Sequence, residues 1–269
     1  MRYPSGTTHL WAILGDPVAH VRAPFFFNPK FEAKGLDAFL LALHAPRAEL
    51  ATILEGLRRI PNLKGLIVTI PHKETMLTLV DEVGPQARLC GALNTVRIEP
   101  GGRLVGEMFD GLGLVAAMRA HGLEPRGARH LLIGAGGAAR AIAFALAAEG
   151  AAELAIWNRT ADRAARLAAE LARAFPSVPA RLGPPDGRGF DVVVQCTALG
   201  MHAGDPLPLD PATLAPPTAL VEIIAVRETE LVTAAAARGC TVVGGRPMAE
   251  LQIDAQLAFI GRPPPLAPG

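Results

Sequence analysis

The sequence predicts an α/β fold, and three observations carry that reading. Apolar runs of strand length alternate with helix-like stretches from end to end, the pattern of strand–helix units. At Leu131-Leu132-Ile133-Gly134-Ala135-Gly136-Gly137-Ala138-Ala139-Arg140 an apolar run breaks on glycine and opens at once into a helical pattern. The chain has 269 residues, half of them apolar, enough for a sizeable core in one large or two moderate domains.

In chain order, residues 10–15 read as a first strand and 24–34 as a helix opening on proline. Residues 39–43 read as a strand, 47–59 as a helix and 65–69 as a strand ending at Pro71. A short helix is expected over 75–80. Residues 94–98 and 103–106 read as a hairpin around Pro100-Gly101-Gly102. Residues 110–121 form a helix that carries the chain across to a nucleotide domain, which begins near Arg129. There the expected helices are 138–148, 161–175, 229–238 and 248–260. The expected strands are 131–133, 153–157, 191–195, 219–224 and 241–243. Residues 176–189, rich in proline and glycine, read as a loop, 244–247 as a turn and 262–269 as a loose tail.

The glycine turn is what a dinucleotide site requires. Gly134 permits the tight turn off the strand, Gly136 lets a pyrophosphate approach the backbone, and Ala139 lets the helix pack closely on the sheet. The phosphates then meet free N–H groups at the positive end of a helix dipole. The next strand ends in Asn158-Arg159-Thr160. An acid there would accept the ribose hydroxyls of NAD, whereas Arg159, joined by Arg163, suits the 2′-phosphate of NADP.

A formal net charge of +1 and 5% aromatic residues give no reason to invoke nucleic acid or an anionic membrane. No apolar run spans a bilayer and no signal-peptide core follows Met1, so a cytoplasmic location is expected. Cys90, Cys196 and Cys240 are widely spaced and form no disulfide framework. The histidines are scattered, and no metal site is read. His72 is read as structural, and Cys196 as a small buried residue.

Chemistry beyond nucleotide binding must come from the first domain. The strand from Leu66 to Thr69 empties into Ile70-Pro71-His72-Lys73, where α/β sites gather. Lys73 and Asp110 suit proton handling on an alcohol or ketone beside NADP. Spacing alone leaves open that Lys73 is a surface lysine and Asp110 a helix cap.

Over essentially its full length the chain resembles the shikimate dehydrogenase family. The matching segments are Gly15-Asp16-Pro17-Val18-Ala19-His20, Val68 to Lys73, Gly91-Ala92-Leu93-Asn94-Thr95, Asp110-Gly111-Leu112-Gly113, Gly134 to Ala139, Asn158-Arg159-Thr160, Cys196 to Met201, and Met248 with Gln252. The resemblance implies a mixed α/β substrate-binding catalytic domain over 1–110 and an NADP-binding Rossmann domain over 111–243. Residues 244–269 would be a helix and tail that pack back on the first domain. It implies Lys73 and Asp110 as the catalytic pair, and Thr69, Asn94 and Gln252 as substrate-binding residues. Gly134, Ala135, Gly136, Gly137, Ala138, Asn158, Arg159, Thr160 and Arg163 would hold NADP. The implied activity is reversible hydride transfer between NADP(H) and a shikimate-like cyclic hydroxy acid or ketone, in the shikimate pathway of aromatic amino-acid biosynthesis. The expected partner is a small-molecule substrate, and the protein would be a monomer or homodimer. Two other readings are a non-catalytic nucleotide-binding sensor and a catabolic dehydrogenase of quinate-like or more apolar ring compounds.

The departures from the family pattern share a direction. Val21 and Ala23 stand where the family has two serines that bind the substrate carboxylate. Ile67 replaces an asparagine, Met108-Phe109 replace Asn-Thr, Phe27 replaces a histidine, and Ala225 replaces a tyrosine. Polar groups have become apolar around the substrate pocket, which predicts an altered substrate. Arg22, in the middle of the Val21–Ala23 turn, is read as solvated.

Overall fold

The computed structural model describes residues 3–261 and 263–265. The chain divides into two compact units. One comprises the chain up to Phe109 and again from Gln252 on; the other is Asp110–Leu251.

The first unit opens with β1 (His9–Gly15), α1 (Ala23–Ala33) and β2 (Ala38–His44), followed by α2 (Leu50–Leu57) and β3 (Leu63–Val68). Then come β4 (Glu82–Val83), α3 (Pro85–Cys90), β5 (Thr95–Ile98) and β6 (Leu104–Glu107). The strand order is β2-β1-β3-β5-β6-β4. β1 pairs in parallel with β2 and β3, while β5 runs antiparallel to β3 and β6. β1 is buried almost continuously from Trp11 on, as expected of a strand covered on both faces. Trp11 packs edge-on against Phe31, with ring centroids 5.3 Å apart, and both rings touch Phe27. These rings join Leu40, Ile67 and the apolar face of α9 (Ile253–Ile260) in one core cluster. Asn28 ties α1 to β2: its Nδ2 donates to the Leu40 carbonyl at 3.0 Å and its Oδ1 accepts the Leu40 N–H at 2.7 Å.

The second unit holds α4 (Asp110–Ala120), β7 (Arg129–Ile133), α5 (Gly137–Ala148), β8 (Glu153–Trp157), α6 (Ala161–Ala174) and β9 (Ala180–Leu182). It continues through β10 (Val192–Gln195), β11 (Ala219–Glu222), α7 (Glu230–Ala237), β12 (Val242–Val243) and α8 (Gly245–Leu251). Every strand is parallel, in the order β12-β11-β10-β7-β8-β9. This is a doubly wound sheet whose order reverses between β7 and β10, the switch point where such sheets bind ligands. α6 buries Ala164, Leu167, Ala168 and Leu171, one face of a 3.6-residue period.

Several local expectations fail. Residues 47–59 begin as a 3-10 turn, Arg47–Glu49, before α2, and residues 75–80 hold only the 3-10 turn Thr75–Thr78. The loop expected over 176–189 contains β9, a short edge strand too brief to show a period of two. β4 and α3 were not expected, and α3 is only one and a half turns long. The helix expected over 248–260 starts earlier and breaks at Gln252 into α8 and α9, and the chain changes unit at that break rather than at 244. Part of the tail expected to be loose is bonded: the Pro264 carbonyl accepts the Asp37 N–H at 2.8 Å. Residues 262 and 266–269 of that tail lie outside the described residues.

Candidate active site

In the first unit, the loops that follow β1, β3 and β6 and the start of the antiparallel β5 share one edge of the sheet. Thr69 donates its N–H to the Leu14 carbonyl at 3.0 Å. Gly15 lies so close that a Cβ there would stand 2.7 Å from the Thr69 methyl. His72 is fully buried, and its Nε2 lies 2.8 Å from the Ala45 carbonyl, so that nitrogen carries the proton and donates. The next residue, Lys73, is half-buried, and its carbonyl accepts the Leu93 N–H at 2.9 Å. That bond sets the Lys73 loop beside Asn94. His72 is therefore a structural strut.

Asn94 is 3% exposed and held from several sides. Its Oδ1 accepts from Thr95 Oγ1 at 2.9 Å and from the Phe109 N–H at 3.0 Å, and its Nδ2 donates to Gln252 Oε1 at 2.8 Å. Thr69, Lys73, Asn94 and Gln252, read from widely separated segments, thus gather in one unit. Sequence reasoning passed over Thr95 and Gln256. Gln256 Nε2 donates to Thr95 Oγ1 at 3.0 Å and to Gln252 Oε1 at 3.2 Å. The signal available was spacing: Gln256 follows Gln252 by four residues and shares its helix face.

Val21 and Ala23 are half-buried. Val21 and Ala23 pack against the cluster that contains Ile67, Phe27, Ile253 and Leu257. Arg22 is exposed, with its guanidinium 5.5 Å from the centre of the Phe25 ring.

In the second unit, Gly134 turns the chain off β7 at φ +121°, a region that favours glycine, and a Cβ there would lie 3.0 Å from the Cys196 backbone. The turn is stapled to the end of β8. The Gly134 N–H donates to the Trp157 carbonyl at 2.7 Å, the Ala135 N–H donates to Asn158 Oδ1 at 3.1 Å, and Asn158 Nδ2 donates to the Thr160 carbonyl at 2.9 Å. Gly136 is the N-cap of α5 and supplies no side-chain cap, and a Cβ on it would meet nothing within 4 Å. Gly137 and Ala138 form the first turn. Open space over a glycine beside an uncapped helix N-terminus fits a pyrophosphate. Arg159 is exposed and makes no ion pair among the described residues, and Arg163 lies on the first turn of α6. Thr160 occupies the cap position of α6, but its hydroxyl makes no cap bond.

Asp110, the first residue of α4, is 3% exposed. Gly111 brings α4 close to α5: a Cβ on it would lie 2.5 Å from the Ala141 carbonyl oxygen. Burial, with the Asp110 carboxylate adding to it, pushes the Cys196 thiol well above its usual range. Cys196 is thus a protonated, buried thiol, and Asp110 sits at the same edge of the sheet as Gly134. Behind this edge, Glu222 at the end of β11 is 1% exposed, and its Oε2 accepts from Thr229 Oγ1 at 2.7 Å. Burial raises its carboxyl to about 7. Among the described residues no helix is long and apolar enough to cross a membrane.

Comparison with known proteins agrees with this geometry. Residues 13–96 match the model of the shikimate dehydrogenase substrate binding domain, and residues 116–199 match that of shikimate / quinate 5-dehydrogenase. A curated relative, the shikimate dehydrogenase (NADP(+)) of Rubrobacter xylanophilus, is 40% identical over 96% of this chain and 93% of its own. The shikimate 5-dehydrogenase of Thermus thermophilus, solved with NADP(H) and shikimate, is 32% identical with a TM-score of 0.84 over 95% of both chains. The 5-ketofructose reductase of Gluconobacter sp. strain CHM43 is 28% identical with a TM-score of 0.83, over 97% of this chain and 96% of its own.

Proposed function

Because the chain belongs to the shikimate dehydrogenase family, we propose that it is an NADP-dependent oxidoreductase. It transfers hydride reversibly between NADP(H) and a shikimate-like cyclic hydroxy acid or its ketone. The reading rests above all on the gathering of Thr69, Lys73, Asn94 and Gln252 at one sheet edge, with Asn94 and Gln252 joined across 158 residues. When bound, NADP supplies the hydride acceptor. Lys73 accepts the hydroxyl proton at Nζ as the carbinol carbon is oxidised, and Asp110 is assigned to the same proton step by the family resemblance. Thr69, Asn94 and Gln252 hold substrate oxygens, which fixes the reacting carbon. Gly134, Ala135, Gly136, Gly137 and Ala138 cradle the pyrophosphate. Asn158 holds that turn, and Arg159, Thr160 and Arg163 receive the 2′-phosphate end. The reading places the protein in the cytoplasm, as a monomer or homodimer, within aromatic amino-acid biosynthesis.

One observation bears on the substrate. Val21 and Ala23 are half-buried against an apolar cluster that includes Ile67, so a carboxylate placed beside them loses hydrogen bonds. This favours a substrate whose ring is more apolar, or lacks an acid, at that side. The Gluconobacter relative of the same fold is named for reducing 5-ketofructose, a compound without a carboxylate. The test is a screen of cyclic hydroxy acids, polyols and their ketones with NADP and with NAD. NADP-linked turnover of a member of this set is expected. Tight NADP binding with no turnover across the whole set would make the protein a non-catalytic sensor.

A further inference from the structure

We propose that Gln256 is a positioning residue that locks the side-chain amide of Gln252, in a ring with Asn94, in the direction that leaves N–H as the only route for a hydrogen bond to the substrate. The kinetic consequence rests on the oxidoreductase reading above; the geometry rests on hydrogen bonds within the first unit.

Gln256 lies one turn beyond Gln252, and its backbone N–H donates to the Gln252 carbonyl at 3.0 Å. Its side chain is 2% exposed. Nε2 donates both to Thr95 Oγ1 and to Gln252 Oε1. Thr95 Oγ1 in turn donates to Asn94 Oδ1, and Asn94 Nδ2 donates to Gln252 Oε1. The four side chains close a ring.

The ring has a direction. Gln252 Oε1 receives two donors, from Asn94 and Gln256. Asn94 Oδ1 also receives two, from Thr95 and the Phe109 N–H. Two is the capacity of a carbonyl oxygen. Any hydrogen bond these side chains make to a ligand is therefore made through N–H. Such a surface takes hydroxyl, keto or carboxylate oxygens and rejects an ammonium group, which has donors and no acceptor. The Phe109 N–H starts this direction at Asn94, and Gln256 locks it at Gln252, because turning the Gln256 amide over would put Oε1 against Gln252 Oε1, acceptor against acceptor.

Gln256 Oε1 is itself buried and has no partner among the described residues. An unsatisfied buried carbonyl destabilises the fold. Its neighbours on α9, Ile253, Leu257 and Ile260, are apolar and buried, so a methionine there would pack without that penalty. An amide kept where an apolar side chain would serve stability better is explained by the orientation it imposes.

The test is Gln256→Met. The expected result is a KM for the cyclic substrate raised about tenfold, the scale of one lost hydrogen bond, with kcat, the KM for NADP and the thermal midpoint little changed. The side-chain amide resonances of Asn94 and Gln252 are expected to shift and lose exchange protection. A fall in kcat and thermal midpoint with substrate KM unchanged would overturn the proposal and leave Gln256 a packing residue. If the unmodified enzyme turns over no cyclic hydroxy acid, the oxidoreductase reading falls, and the amide resonances still decide this one: unaltered Asn94 and Gln252 amides in the variant refute it. If Gln256→Met does not fold, Thr95→Val opens the ring at its other joint and is read in the same ways.

Discussion

In the second unit the turn from Ile133 into α5 offers backbone: a glycine at φ +121°, an open Gly136 and an uncapped helix end. In the first unit Thr69, Lys73, Asn94 and Gln252 offer side chains drawn from separate segments. A backbone cradle is written in consecutive residues and keeps its shape while surrounding side chains vary. A side-chain pocket is rewritten one substitution at a time, and the family resemblance points to Val21, Ala23 and Ile67 as such positions. On that reading one chain combines a cofactor turn that fits its family with substrate-side residues that depart from it.

The sharpest way to break the contrast is Lys73→Ala. The reading predicts a fall in kcat of about 10²–10⁴-fold, the range of general acid–base catalysis, with NADP affinity unchanged by direct titration. A variant that keeps near-normal kcat on its substrate removes Lys73 from the chemistry.

The second unit also buries two titratable groups whose effects oppose one another. Glu222 titrates at about 7 folded against 4.5 unfolded, chiefly through burial. The stability this contributes is fully present below 4.5 and is lost as pH rises through 7. Burial holds the His130 imidazole at about 4 against 6.5 unfolded. Its contribution is fully present above 6.5 and is lost as pH falls through 4. Each shift corresponds to about 3 kcal/mol. The two slopes cancel between 4.5 and 6.5, so single variants are needed to see them. Chemical unfolding across pH should show Glu222→Gln gaining stability over the parent above pH 7, and His130→Leu gaining it below pH 5. Parallel pH profiles for parent and variants would contradict both assignments.

Arg159→Ala sharpens the contrast from the cofactor side. Loss of charge-assisted hydrogen bonds to a 2′-phosphate, about 1.5–3 kcal/mol, should weaken NADP about 10- to 100-fold and leave NAD unaffected. Equal losses for both cofactors would remove Arg159 from the phosphate site.

The same division governed what could be read without a structure. The doubly wound sheet, the glycine turn and Asn158-Arg159-Thr160 were legible because strand, turn and helix follow one another in the chain. The hairpin β5–β6 was legible from Pro100-Gly101-Gly102. The break at Gln252 was not, because α8 and α9 form a continuous apolar pattern and only packing in different units separates them. β9 was hidden in a Pro/Gly-rich stretch since three residues on an exposed edge need no apolar alternation. Lys73 was legible as a candidate from its place after the third strand, whereas Asn94 and Gln252 were visible only through family resemblance. Their partners Thr95 and Gln256 were passed over, because a hydrogen bond across 161 residues leaves no local pattern and the four-residue spacing of Gln256 from Gln252 was the one signal.

The most direct measurement is kcat/KM for shikimate with NADP, on the parent protein and on Val21→Ser/Ala23→Ser. Each hydroxyl restored to a carboxylate contact is a charge-assisted hydrogen bond, and the apolar wall leaves the parent without either. The predicted result is a parent value below about 10⁴ M⁻¹s⁻¹, the lower end of common enzymes, set by a high KM. The double variant should raise it about tenfold or more through KM alone, with the KM for NADP constant. A parent that already turns over shikimate with a micromolar KM, and gains nothing from the serines, would contradict the claim that the substrate half has been rewritten while the cofactor half has not.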